Sequence, residues 1–119
     1  MVLLRFIGAG GFNFVEYNYD TLDRVTQRDY YSAAPQRSTY NYNLANELDN
    51  MANTLVGVGS INRNYTYDQV SNRLTKSETL GSAVLTNFGY NNLYELTSTS
   101  GGQTNSYTYD AVGNRTNAN

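Results

Sequence analysis

Tyr65-Thr66-Tyr67-Asp68-Gln69-Val70-Ser71-Asn72-Arg73-Leu74-Thr75 reads as a strand, a turn and the start of a second strand. Tyr-x-Tyr has the period of two that places both rings on one face of an extended segment. Tyr and Thr suit a pleated surface. Asp68 then stops the strand, because its short side chain bonds the backbone two residues on and initiates a turn. Arg73-Leu74-Thr75 resumes the extended chain. The local chemistry is that of a β-hairpin.

Working outward, the unit recurs. Its other copies begin Tyr17-Asn18-Tyr19-Asp20, Tyr40-Asn41-Tyr42-Asn43, Phe88-Gly89-Tyr90-Asn91 and Tyr107-Thr108-Tyr109-Asp110. The second aromatic ring falls at 19, 42, 67, 90 and 109, in steps of 23, 25, 23 and 19. Nine of the twelve tyrosines lie in these copies, so the tyrosine excess is a consequence of the repeat. Gly57-Val58-Gly59, Gly81-Ser82 and Gly101-Gly102 are predicted as the turns between copies, the last as a two-residue hairpin. Each repeat then holds two strands of roughly 7–8 residues, and five repeats make about ten antiparallel strands. Leu44 to Leu55 has a weak helical pattern, but Asn43, Asn46, Asn50 and Asn53 argue against a helix. The expected fold is all-β, an antiparallel meander or ribbon of about five hairpins. Residues 1–13 read as an N-terminal strand, half of an incomplete repeat, and 14–119 as five repeats in one continuous ribbon. Val25, Leu48, Leu74 and Leu96 are placed to fill the gaps between tyrosines.

From about Asn13 to Asn119 the units resemble the YD (tyrosine-aspartate) repeat of the RHS, or rearrangement hot spot, family. Tyr65–Thr75 and Tyr107-Thr108-Tyr109-Asp110-Ala111-Val112-Gly113-Asn114-Arg115 carry the likeness most fully. The resemblance implies a long β-ribbon curved as in a β-shell or β-solenoid, often enclosing a C-terminal toxin. It also implies a bacterial, extracellular or cell-surface setting, and carbohydrate binding in some members. The sequence departs from the family pattern in stated ways. The family usually has Gly in the turn, and here only Gly113 supplies it. Asp23, Asn46, Ser71 and Tyr94 hold the matching positions. Asp and Asn tolerate positive φ; a tyrosine is not expected to. Asn43 and Asn91 replace the aspartate. No Asp-Pro-x-Gly run is present and the one proline is Pro35, so neither self-cleavage nor a toxin tip carries over.

Composition narrows the chemistry. The 119 residues include no Cys, no His and no Trp. This removes disulfides, thiolate metal sites, cysteine nucleophiles and His-based catalysis. A net charge of −2 is too balanced for a nucleic-acid or anionic-membrane binder. The apolar start is broken at Arg5, a poor secretion signal, and no run approaches a membrane span. No cofactor is expected, and no enzyme activity.

The residues singled out are the repeat positions Tyr17, Tyr19, Asp20, Tyr40, Tyr42, Tyr65, Tyr67, Asp68, Tyr90, Tyr107, Tyr109 and Asp110, read as structural. Their rings are expected to pack the sheet and leave the hydroxyls at its rim. Tyr67 and Tyr109 are also candidate sugar-stacking contacts. Asp20, Asp68 and Asp110 suit turn capping better than calcium binding, since Asn43 and Asn91 fit capping but not a metal. Asp20 and Asp23 make a weak glycosidase-like pair. Arg24, Arg73 and Arg115 are expected to pair across strands with carboxylates. Asn64 and Asn114 open glycosylation sequons. The ends of the ribbon carry unpaired strand edges, which suggests a homo-oligomer or filament through the terminal strands, or a piece of a larger YD-repeat protein. The expected role is architectural: a shell wall or self-assembling extracellular fibre. A carbohydrate-binding module is the alternative.

Overall fold

The computed structural model describes residues 2–8 and 11–118, with side chains over 14–117. Among the described residues there are eleven strands and no helix. They are β1 (Val2–Gly8), β2 (Gly11–Tyr19), β3 (Val25–Tyr31), β4 (Gln36–Tyr42), β5 (Leu48–Leu55), β6 (Gly59–Tyr67), β7 (Arg73–Leu80), β8 (Ser82–Tyr90), β9 (Leu96–Gly101), β10 (Asn105–Tyr109) and β11 (Arg115–Ala118). Strand order in the sheet follows the sequence from β1 to β11. The chain forms two compact units, Met1–Arg63 and Asn64–Asn119, divided inside β6. Within each unit successive strands pair antiparallel. The all-β meander is therefore as the repeat predicts.

Local departures have local causes. The Leu44–Leu55 segment is a turn followed by β5, as its asparagines indicate. Gly101-Gly102 is not a two-residue hairpin: β9 runs through Gly101, and β10 starts only at Asn105. Gly101 has φ +100°, and a Cβ there would run into the Leu85 backbone carbonyl. The Gly102 N–H donates to that same carbonyl at 3.0 Å, so the glycines serve a close approach of β8 and β9. At the N-terminus β1 covers Val2–Gly8 and pairs with β2, which begins at Gly11, inside the segment read as 1–13. Residues 1, 9 and 10 of that segment, and Asn119, lie outside the described residues. Arg115–Ala118 already pairs with Tyr107–Tyr109 as a short return strand.

In the first unit the two faces of the sheet differ in chemistry. Glu16, Asp29, Arg37 and Thr54 lie abreast on one face, with Tyr17, Arg28, Ser38 and Asn53 on the other. Asp29 is only 6% exposed. Arg37 Nε donates to it at 2.6 Å and Gln27 Nε2 at 2.6 Å, and the Arg37 hydrogen bond holds the carboxyl below its ordinary range. Phe14 and Tyr31 stack beside this pair at 4.2 Å between centroids. In the second unit Tyr65 is buried, and so are Thr86 and Thr99. No described side chain reaches full burial. The surface is 8250 Å², against about 6,450 Å² expected for a compact 13.3 kDa protein. Among the described side chains, sheet hydrogen bonding and cross-strand pairs contribute more than a hydrophobic core.

Candidate functional site

The repeated feature is the turn, and all five copies have the same geometry. In each, the Asx residue after the second aromatic donates its N–H to the carbonyl four residues on, at 2.9–3.1 Å, in the pairs Asp20–Arg24, Asn43–Glu47, Asp68–Asn72, Asn91–Glu95 and Asp110–Asn114. The N–H three residues on donates back to the Asx carbonyl, from Asp23, Asn46, Ser71, Tyr94 and Gly113. The Asx Oδ1 accepts two further N–H groups, two and four residues on, at 2.9–3.0 Å. The five residues at the third position after Asx all adopt positive φ: Asp23 59°, Asn46 65°, Ser71 68°, Tyr94 61° and Gly113 85°. Tyr94 thus takes the left-handed conformation that the sequence reading denied it. The surrounding hydrogen bonds over-determine the turn and hold a side chain that disfavours it.

The other carboxylate or amide atom of each Asx side chain shows a pattern that sequence reasoning missed. Where the residue is Asp, its Oδ2 accepts from a donor four residues on: Arg24 Nε at 2.7 Å, Asn72 Nδ2 at 2.8 Å and Asn114 Nδ2 at 2.9 Å. Where it is Asn, its Nδ2 donates to an acceptor at that same position: Glu47 at 2.7 Å and Glu95 at 2.6 Å. Donor and acceptor exchange together. The signal was present in the sequence as co-variation of the two positions among copies. These bonds hold Asp20, Asp68 and Asp110 below the ordinary carboxylate range, the side-chain donor being the largest cause in each. The three aspartates are therefore engaged in their own turns.

The tyrosines lock successive turns together. Tyr17 and Tyr19 sit side by side, with centroids 6.5 Å apart, as the period of two requires. The hydroxyls of Tyr42, Tyr90 and Tyr109 donate to the carbonyls of Val25, Arg73 and Leu96, each the first strand residue after the preceding turn, at 2.8, 2.9 and 2.7 Å. These hydroxyls are bonded to the neighbouring turn and are not left open at the rim. The Tyr109 hydroxyl is bonded to the Leu96 carbonyl, which leaves the stacking of its ring neither made nor excluded. Tyr67 and Tyr40 are half-buried in β6 and β4. Tyr65 and Tyr107 lie under guanidinium groups, Arg73 at 4.5 Å and Arg115 at 5.5 Å from the ring centroids. Arg24 lies 4.5 Å over Tyr42, pairs with Asp20 and donates to Asn46 Oδ1 at 2.7 Å, so it bridges the first two turns. The expected cross-strand arginine–carboxylate pairs are replaced by cation–π contacts, except that Arg24 pairs across its own turn. Of the sequon asparagines, Asn64 is exposed on β6, and Asn114 has its amide nitrogen bonded to Asp110.

No family model and no curated protein matches the chain. Solved structures do. A chain in the crystal structure of TcdB2-TccC3-Cdc42 superposes with a TM-score of 0.75 at 20% identity, over 90% of this chain and 5% of that one. This chain therefore spans a small part of the length of that neighbour. The shared architecture gives the fold: an antiparallel β-meander like the matched stretch of that chain.

Proposed function

We propose that the chain is a non-enzymatic structural β-scaffold, a segment of wall that is completed by more ribbon of the same kind. The carrying observation is the turn rim. Leu22, Leu44, Val70, Leu93 and Val112 each stand exposed at the tip of a turn held by the same set of backbone and Asx hydrogen bonds. A rigid turn that presents one apolar residue per repeat suits contact with another ordered rim, since burial of each would stabilise the contact by roughly 1–2 kcal/mol. The small share of the neighbour's chain that matches supports a place inside a longer repeat protein. Association of copies of this chain through strand edges and rims is the self-assembling form of the same reading, and a surface or extracellular location fits it. Electron microscopy and light scattering of the purified chain test it. Particles or filaments are expected, and replacing Leu22, Leu44 and Val112 by Asn should reduce them to monomer. A strict monomer at high micromolar concentration rules out self-assembly.

A further inference from the structure

Lys76 and Thr86 stand directly opposite each other on β7 and β8, in the second unit. Opposed residues of an antiparallel pair share one face, with Cβ atoms about 5 Å apart. Thr86 is 9% exposed, yet its hydroxyl forms no hydrogen bond among the described residues. No fully covered side-chain nitrogen or oxygen among those residues lacks a partner, so this hydroxyl is not sealed in. It opens on a concavity of about 480 Å³ that Lys76 also lines. Gly102 keeps that space clear, since a Cβ there would stand 3.1 Å from Thr86 Oγ1. Lys76 is half-buried, and its ammonium likewise has no hydrogen bond or ion pair among the described residues. Phe88, Leu96 and Tyr107 supply an apolar wall beside the two polar groups.

We propose that this concavity binds a small organic monocarboxylate with an apolar body, its carboxylate held between the Lys76 ammonium and the Thr86 hydroxyl. An ammonium and a hydroxyl side by side can each donate to one carboxylate oxygen, and such charge-assisted bonds are the strong ones. The rings of Phe88 and Tyr107 with Leu96 take the body of the ligand out of water. The volume is that of a small-molecule site. The surrounding charges set the number of negative charges accepted. Glu78, two residues along β7 on the same face, also lines the concavity and has an interaction of its own. Its carboxylate repels a second negative charge, so a monoanion fits better than phosphate or a dicarboxylate. Arg115, 5.5 Å over the Tyr107 ring, is a second cation at the apolar wall. The site is separate from the turn-rim contacts of the scaffold reading and does not depend on them.

The test titrates the full chain with phenylacetate, its neutral isostere phenylacetamide, and inorganic phosphate, followed by heteronuclear NMR. Phenylacetate should shift the amide signals around Lys76, Thr86 and Phe88, and bind about tenfold more tightly than phenylacetamide. Phosphate should bind more weakly than phenylacetate. Lys76→Gln should abolish the preference for the acid over the amide with melting temperature unchanged, because the ammonium holds no partner in the free chain. Thr86→Val should weaken phenylacetate binding by a smaller factor. Leu44→Asn, in the first unit, should bind as the wild type does. No localised shifts with phenylacetate, equal binding of acid and amide, phosphate bound as tightly as phenylacetate, or an undiminished preference in Lys76→Gln overturns the proposal. The comparison of acid with amide uses the native chain alone, so it decides the matter whether or not a variant folds.

Discussion

Asn91 and Glu95 show how much one side-chain atom decides. Asn91 caps its turn through Oδ1 and uses Nδ2 to reach Glu95, whereas Asp68 caps identically and uses Oδ2 to accept a hydrogen bond from Asn72 Nδ2. Replacing Asn91 by Asp sets two carboxylates face to face and should destabilise the chain by about 1 kcal/mol. Adding Glu95→Asn to that variant recreates the third turn's pair and should recover most of the loss, read as a double-mutant cycle by urea unfolding. Acid should separate the two kinds of turn. Because Asp20, Asp68 and Asp110 are lowered in the folded state, their stabilisation is complete above the unfolded value of about 3.9 and is lost as pH falls through the lower folded values. The Oδ1 caps of Asn43 and Asn91 do not titrate. Hydrogen-exchange protection at Val70 and Asn72 should therefore fall in acid by more than that at Leu93, the amide that Asn91 caps. At Tyr94, Gly relieves the left-handed strain but loosens the unfolded chain, so stability should be unchanged or up to about 1 kcal/mol higher.

At the scale of the element, the hydroxyls of Tyr42, Tyr90 and Tyr109 fasten strands to their neighbours, and a close backbone approach joins β8 to β9. Tyr90→Phe removes the donor to the Arg73 carbonyl and keeps the ring, so about 1 kcal/mol should be lost. Glycine substitutions give a sharper contrast. Gly81, at φ +80°, faces open space, and Gly81→Ala should meet only the conformational penalty, about 1 kcal/mol. Gly101→Ala adds a collision with the Leu85 backbone that no side-chain rotation relieves. It should cost at least twice as much, as a shift in denaturation midpoint with β8 and β9 losing exchange protection first. The hairpins themselves were readable from Tyr-x-Tyr-Asx, because strand period and turn capping are local. The Gly101 approach was not, since a Gly-Gly pair has the same sequence signature whether it forms the turn or lies beneath another strand.

For the whole molecule, the consequence of the sparse burial among the described residues is thermodynamic. Little apolar area leaves water on folding, so the heat capacity of unfolding should fall below about 12–15 cal/mol/K per residue. The urea m-value should be low for the chain length for the same reason, and calorimetry with urea titration checks both. Association that covers the rims and faces should raise the apparent melting temperature with protein concentration. The strand order and the five turns could be foreseen from the repeat alone. Strand alternation and Asx capping act within a few residues, and five phased copies make their meaning unambiguous. Three things needed the folded chain. The hydroxyls of Tyr42, Tyr90 and Tyr109 find carbonyls 13–17 residues away, and their partners exist only once neighbouring hairpins are in register. The arginines choose tyrosine faces over carboxylates because the turn carries them above the rings. Tyr94 enters the left-handed region because the turn's hydrogen bonds outweigh its own preference. Local residue chemistry set the unit, and the meeting of one unit with the next decided what its side chains do.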